Sequence, residues 1–331
     1  MLGVAFAFML TVRASAQKGK KKTQEEPVTQ TLPLLKDPPA AISAETARLV
    51  FHVSPLSSKG LLSQQVRDAL KVLLHDTHGA AIVKLRAFVA GSGDMRRVST
   101  IVSETFTDRK LPLPAVSTIE VGALPLEGAQ IVIESISVEK KNVNPHGLAF
   151  YSAQPVRQLR QVTGAVRATC FLSSLDNLAN VKSITSTAFS GAVVNFVQTQ
   201  RLGIEPQDMC EAVAKLDHPP AQPLTIENAA ALVNTPKIVL TGTQMAFRDT
   251  DADLRLAFER LGKVLESLGV TYKDVFWSSA YPLTRPVEEK THALQQEFFD
   301  RSKPPAGTIL LFEGLPSLDA TMAMDVIAAA K

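Results

Sequence analysis

Eighteen residues separate Phe88 from Phe106, Phe171 from Phe189 and Tyr281 from Phe299. Each first aromatic residue ends a strand-like segment that runs into polar or small residues: LRAFVAGSGD, ATCFLSSLDN and SSAYPLTRPV. Each second one closes an amphipathic helical stretch. Three equal spacings over the same strand–turn–helix pattern require one supersecondary unit used three times, and internal repetition overrides any guess made from length.

The correspondence continues on both sides. A β-like run ending in Leu124, Leu202 or Leu315 follows each helix, and an acid lies nine or ten residues further on in an apolar strand: Glu134, Glu211 and Asp325. Upstream, each repeat opens with an apolar strand, LVFHVSP (49–55), LAFYSAQP (148–155) or IVLTGTQ (238–244). A first helix lies between opening strand and aromatic strand. Val66, Ala69, Leu70, Leu73 and Leu74 mark it in the first repeat, with Gly79 as its stop. Leu254, Phe258, Leu261, Val264, Leu265 and Leu268 mark it in the third, with Gly269 as its stop. In the middle repeat only 16 residues connect Pro155 to Phe171, against 33 from Pro55 to Phe88, so this helix is expected to be shortened or lost there.

The unit therefore reads strand, helix, strand, helix, strand, strand. That order predicts an α+β two-layer sandwich, an antiparallel or mixed sheet with both helices on one face. Boundaries fall at 46–140, 145–217 and 235–331, with a Pro-rich linker over 218–234 that begins HPPAQPLT.

The first residues differ in kind. Leu2 to Val12 is an apolar run too short to span a bilayer, and Ala14-Ser15-Ala16 follows it with the small-residue pattern of a cleavage site. Residues 1–16 are expected to be a signal peptide, although no Lys or Arg precedes the apolar run, and the protein is expected to be exported, periplasmic or secreted. Residues 17–45, rich in charge and Pro, are expected to form a flexible linker with no stable membrane span. Arg13, Lys18, Lys20, Lys21 and Lys22 against Glu25 and Glu26 account for the whole net charge of +3, which leaves the folded body neutral. A neutral body offers no field for phosphates, so nucleic acid is not expected as a partner. One Trp and three Tyr also argue against an aromatic stacking surface.

The stretch from HGAAIVKLRAFVAGSGD to GAQIVIESISV, with LPAVSTIEVGAL inside it, resembles the RidA (YjgF) family of imine deaminases over nearly that family's full length. The third repeat is similar in IVLTGTQ and LRLAFERLGKVLESLGVTYKDVFWSSAYPL, and the second in LAFYSAQ, CFLSSLDNLANVKS and CEAVA. The resemblance implies a chorismate-mutase-like α/β sandwich that assembles as a homotrimer, with ligand pockets in the clefts between subunits. Three units on one chain imply a monomeric covalent pseudo-trimer with a small-molecule ligand in its inter-unit clefts.

The resemblance also implies hydrolysis of reactive enamines and imines to 2-keto acids and ammonia, without metal or cofactor. That chemistry uses an Arg fork to hold the substrate carboxylate, together with a placed water and a proton donor. The family Arg lies eight residues before the Leu that ends the run. Val116, Val194 and Gly307 stand there, so no repeat carries the anchor. Glu134, Glu211 and Asp325 remain as candidate catalytic acids, with a structural role as the competing reading. Glu120 matches a further family position that Gln198 and Leu311 take in the other repeats. The expected function is small-ligand binding, diverged from imine deamination; the alternative is an enamine or imine hydrolase with a changed substrate.

Other features carry less. Arg97, Arg157, Arg160, Arg167, Arg201 and Arg285 are the cations considered as replacements, most of them read as solvated helix or loop positions. His75 and His78 lack the further ligands of a metal site, and His52 reads as a satisfied sheet histidine. Gly91-Ser92-Gly93-Asp94 reads as a turn rather than a phosphate loop. Cys170 and Cys210 are compatible with one disulfide and with two buried thiols alike.

Overall fold

A computed structural model describes residues 34–91, 94–201, 207–227 and 229–331. The expected signal peptide, most of the 17–45 linker, Leu202 and the centre of the Gly91–Asp94 turn lie outside the described residues.

In chain order the first group of elements is β1 (Ala41–Glu45), β2 (Leu49–Val53), α1 (Leu62–Asp76), β3 (Ala81–Ala90), α2 (Met95–Asp108), β4 (Ala115–Val121) and β5 (Ile131–Val138). The second is β6 (Leu148–Pro155), β7 (Ala165–Leu172), α3 (Leu178–Ala188), β8 (Val193–Gln198), β9 (Met209–Lys215), β10 (Leu224–Glu227) and β11 (Ala230–Val233). The third is β12 (Lys237–Thr241), β13 (Gln244–Phe247), α4 (Asp251–Ser267), β14 (Val275–Pro282), α5 (Arg285–Phe298), β15 (Ala306–Ile309) and β16 (Ala320–Ala330).

These strands form three mixed sheets. The first has the order β2-β5-β3-β4; the second extends β6-β9-β7-β8 by β11 and β10; the third extends β12-β16-β14-β15 by β1, with β13 also on β16. In every sheet one parallel pair is joined through a helix: β3-α2-β4, β7-α3-β8 and β14-α5-β15. A parallel pair needs such a crossover, and the helix covers the sheet face it crosses.

Local chemistry sets these elements. Asp94 caps α2 by accepting from the Arg96 backbone N–H at 3.0 Å. Thr250 caps α4, and Asp251 and Asp253 in its first turn suit the helix dipole. Gly269, at φ +75°, closes α4 in the left-handed conformation. Val66, Ala69, Leu70 and Leu73 of α1, with Val98, Ile101, Val102 and Phe106 of α2, pack on Leu85, Ala87 and Val89 of β3. Both helices of the first sheet therefore share one face. Leu254, Phe258, Leu261 and Leu265 of α4 with Val287 and Leu294 of α5 do the same in the third. The second sheet differs: a single 3-10 turn, Val156–Gln158, stands between β6 and β7, and among the described residues α3 is the helix that covers that face.

Two expected linkers contain strands. Residues 41–45, placed at the end of the 17–45 linker, form β1, which pairs antiparallel with β12 from Ala41–Thr241 to Glu45–Lys237. The third sheet thus takes its edge from the chain's beginning. Within the expected 218–234 linker, β10 and β11 form a hairpin that adds to β6. Both additions satisfy backbone groups of a sheet edge, which is worth more than the weak strand propensity of Ala-rich AISAE and AALV suggests.

Candidate functional site

The three strands that carry the first aromatic residues present alternate side chains to a common interior. β3 offers Lys84, Arg86 and Phe88; β7 offers Arg167, Thr169 and Phe171; β14 offers Trp277, Ser279 and Tyr281. Opposite them, Arg86 pairs in register with Glu134, Thr169 with Glu211 and Ser279 with Asp325. The three acids thus occupy one register position in three sheets.

All three are buried, and so are Lys84, Arg86 and Arg167. They form a polar belt between two apolar clusters. Along β5, Ile136 belongs to one cluster, Glu134 to the belt and Val132 to the other cluster. Phe51, Phe150, Phe276 and Trp277 fill the first cluster, and Phe88, Phe171, Tyr281 and Phe312 fill the second.

Inside the belt each acid bonds to a neighbouring sheet. Glu134 of the first sheet accepts from Asn195 of the second at 3.2 Å and from the Thr169 hydroxyl. Glu211 of the second accepts from the Thr308 hydroxyl of the third. Asp325 of the third accepts from the Ser117 hydroxyl of the first at 2.6 Å, and from Tyr281 Oη at 3.1 Å. Cations complete the set. Arg86 Nε donates to Glu134 at 2.8 Å and its Nη2 to Glu211 at 2.5 Å. Arg167 lies 3.5 Å from Glu134 and stacks over the Phe51 ring. Lys84 lies 3.4 Å from Asp325 and donates to Ser117 at 2.7 Å and to the Thr241 carbonyl.

Three cations thus meet three acids, and an ion set of this kind tolerates burial only when every member is paired. Burial alone pushes the Glu134 carboxyl up, but Arg86 and Arg167, with donation from Thr169 and Asn195, outweigh it and hold Glu134 below the usual carboxylate range. Burial pulls the Lys84 ammonium down, and Asp325 offsets only part of that. Burial, then Asp325, push the Tyr281 hydroxyl well up, so it stays neutral and donates. The cavity within the belt measures about 30 Å³ and is lined by Lys84, Arg86, Glu134, Arg167, Trp277 and Asp325 among others. That space suits a water or two and excludes an organic substrate.

Val116, Val194 and Gly307, where the resemblance placed an Arg, lie elsewhere, on the edge strands. Val116 pairs with Leu85, Val194 with Ala168 and Gly307 with Ser278, again one register position in three sheets. Val116 packs on the cluster under α1 and α2, and Val194 on the cluster under α3. At Gly307 a Cβ would come within 1.9 Å of the Ser278 carbonyl oxygen, so no side chain fits at all. Each edge meets another sheet: Thr243 donates its N–H to the Val116 carbonyl at 3.3 Å, Gly307 donates to Ser152 Oγ at 3.0 Å, and β8 packs against β2.

Glu120 is not part of the belt. It shares the outward face of β4 with Val116, and its backbone N–H donates to the Gly314 carbonyl at 2.8 Å. Partial burial, then Glu313, raise its carboxyl, while Arg201 acts in the opposite direction. Gly314 leaves the space that this carboxylate fills.

No family model and no curated protein matches this chain. Solved structures do. A YjgF-family protein from Mycobacterium tuberculosis is 17% identical over 28% of this chain and 79% of its own, with a TM-score of 0.27. RidA from an Antarctic Psychrobacter is 16% identical over 28% of this chain and 80% of its own, at 0.26. The resemblance is to YjgF/RidA proteins over about 30% of this chain. A chorismatase aligns with 88% of this chain and 77% of its own, at 10% identity and a TM-score of 0.46. Likeness at these identities assigns no chemistry to the chain.

Relative to these RidA-like expectations, Arg167 is corrected from a solvated position to the buried belt, and Lys84 and Arg86 are additions. Their signal was present in IVKLRAFVA: two charges two residues apart, on the face of Phe88, in a strand otherwise apolar on both faces. Cys170 and Cys210 are cross-strand partners on β7 and β9 and form a disulfide. His52 lies in β2 as expected, but its Nδ1 has no partner among the described residues.

Proposed function

We propose that this protein is a covalent pseudo-trimer of three RidA-like repeats that has diverged from imine deamination and serves as a small-ligand-binding protein. The observation that carries this reading is the division of charge. At Val116, Val194 and Gly307 the three edge positions hold no cation, and Gly307 has no room for one. A bidentate Arg at such a site typically contributes a few kcal/mol to holding a carboxylate. Glu134, Glu211 and Asp325 are meanwhile occupied in the closed belt, each bonded across to another sheet. Acids committed in this way are not free to pass protons to a bound amine.

Glu120 favours a second reading, a hydrolase acting on an enamine or imine without a carboxylate. Its half-buried carboxyl, raised by burial and by Glu313, is suited to proton transfer. Export belongs to the same proposal, and the Cys170–Cys210 disulfide accords with an oxidising compartment.

The test supplies the purified protein with enzymatically generated 2-aminoacrylate and follows the 2-keto acid. The expected result is no acceleration over the spontaneous reaction, with a small gain in Val116→Arg. A family-like rate in the unmodified chain overturns the first reading; loss of that rate in Glu120→Gln then supports the second.

A further inference from the structure

The face of the second sheet that lacks a first helix holds a cavity of about 470 Å³. In the first sheet α1 covers the corresponding face, with Val66, Leu70 and Leu73 fully buried. In the second, the 3-10 turn Val156–Gln158 stands aside. Tyr151, Leu159, Val162, Phe189 and Ala212 line the resulting recess, and Cys210 of the disulfide lies in its floor. A cross-strand disulfide between the central strands β7 and β9 fixes that floor, so the recess is shaped before anything enters it. Its volume lies within the range of small-molecule sites.

Several polar groups at its rim are not engaged by other side chains or backbone among the described residues. Gln154, Gln158, Gln161, Arg160 and the Tyr151 hydroxyl line the cavity, and none of these side chains has a hydrogen-bond partner among the described residues. Arg160 is the only charged residue among the described lining, with no carboxylate beside it. Burial raises the Tyr151 hydroxyl, which therefore remains a neutral donor. A recess with an aromatic and aliphatic side, a cation without a carboxylate partner among the described residues, and several amide donors suits an amphipathic anion.

We infer that this recess binds a small, largely apolar monocarboxylate, with its ring or chain against Phe189, Tyr151 and Val162 and its carboxylate on Arg160. The described lining comes from the second group of elements, and none of Val116, Val194 and Gly307 lines it; Gly307 touches it only through the N–H it donates to Ser152, and Val194 only through the cluster under α3. Such a site goes beyond the function proposed above, and the two fail independently: deamination activity tests the clefts, and ligand binding here does not depend on it.

The experiment titrates the full chain with the fluorescent apolar anion anilinonaphthalenesulfonate, then displaces it with cyclohexanecarboxylate or with cyclohexanecarboxamide. One saturable site is expected, and the carboxylate should displace the probe about tenfold better than the amide, as a charge-assisted bond implies. Arg160→Gln should remove that preference, and Ala212→Phe should abolish probe binding by filling the recess. Arg160 is exposed, so its variant carries the test alone if Ala212→Phe fails to fold. Absence of a saturable site, equal displacement by acid and amide, or an acid preference that persists in Arg160→Gln overturns the inference.

Discussion

Val116 and Ser117 are adjacent on β4 and face opposite regions of the molecule. Ser117 points inward and donates to Asp325 within the charged belt, whereas the apolar Val116 points to the other face and packs on the cluster under α1 and α2. The same division recurs at Val194 and Asn195, and at Gly307 and Thr308. In each pair the inward residue is polar and bonds an acid of another sheet, while the outward one is apolar or absent as a side chain. The buried ions therefore join the three sheets to one another, and Val116, Val194 and Gly307 bring no charge to the edges.

The sharpest way to break this comparison is to remove the cation at the belt's centre. Arg86→Met leaves Glu134 and Glu211 buried without their shared partner, and a loss of about 3–5 kcal/mol is expected in denaturant unfolding. Replacing Arg86, Glu134 and Glu211 together by apolar residues of similar size should cost less than Arg86→Met alone, since no orphaned charge remains. If Arg86→Met is neutral, the belt is not what holds the sheets together.

On the outer side, Gly307→Ala should destabilise by about 1–3 kcal/mol, because the new methyl meets the Ser278 carbonyl and β15 must move away from β14. Unchanged stability there would show that the edge has room for a side chain and that packing does not require Gly307.

The smallest effect concerns pH. The folded-state pKa of Glu134 lies below its unfolded value, which is about 4.3 for an ordinary glutamate, so the stability it contributes is present above that value. It is lost as pH falls through the lower folded value. Melting temperature should therefore decline on acidification below about pH 4, and more steeply in the natural chain than in Glu134→Gln. Parallel profiles would remove Glu134 from the account.

Much of the architecture was legible because strand and helix periods write themselves into sequence. The spacing from Phe88 to Phe106 and its two counterparts located α2, α3 and α5, and the short Pro155–Phe171 interval corresponds to the 3-10 turn that replaces a helix. The positions of Glu134, Glu211 and Asp325 were legible as a set, and so were those of Val116, Val194 and Gly307. Other features depended on partners distant in the chain. β1 pairs with a strand nearly two hundred residues away, and nothing within AISAE announces that edge. The role of Lys84 and Arg86 appears only when Asp325 and Glu211 arrive from other sheets, and the disulfide only when β7 and β9 set Cys170 opposite Cys210.

The central claim is that one chain closes the belt by itself, with its ions drawn from three sheets of the same polypeptide. The solution mass of the full chain, measured by light scattering and native mass spectrometry under non-denaturing conditions, tests this most directly. The account predicts the mass of a single folded chain. An obligate trimer of chains that comes apart only on unfolding would contradict it.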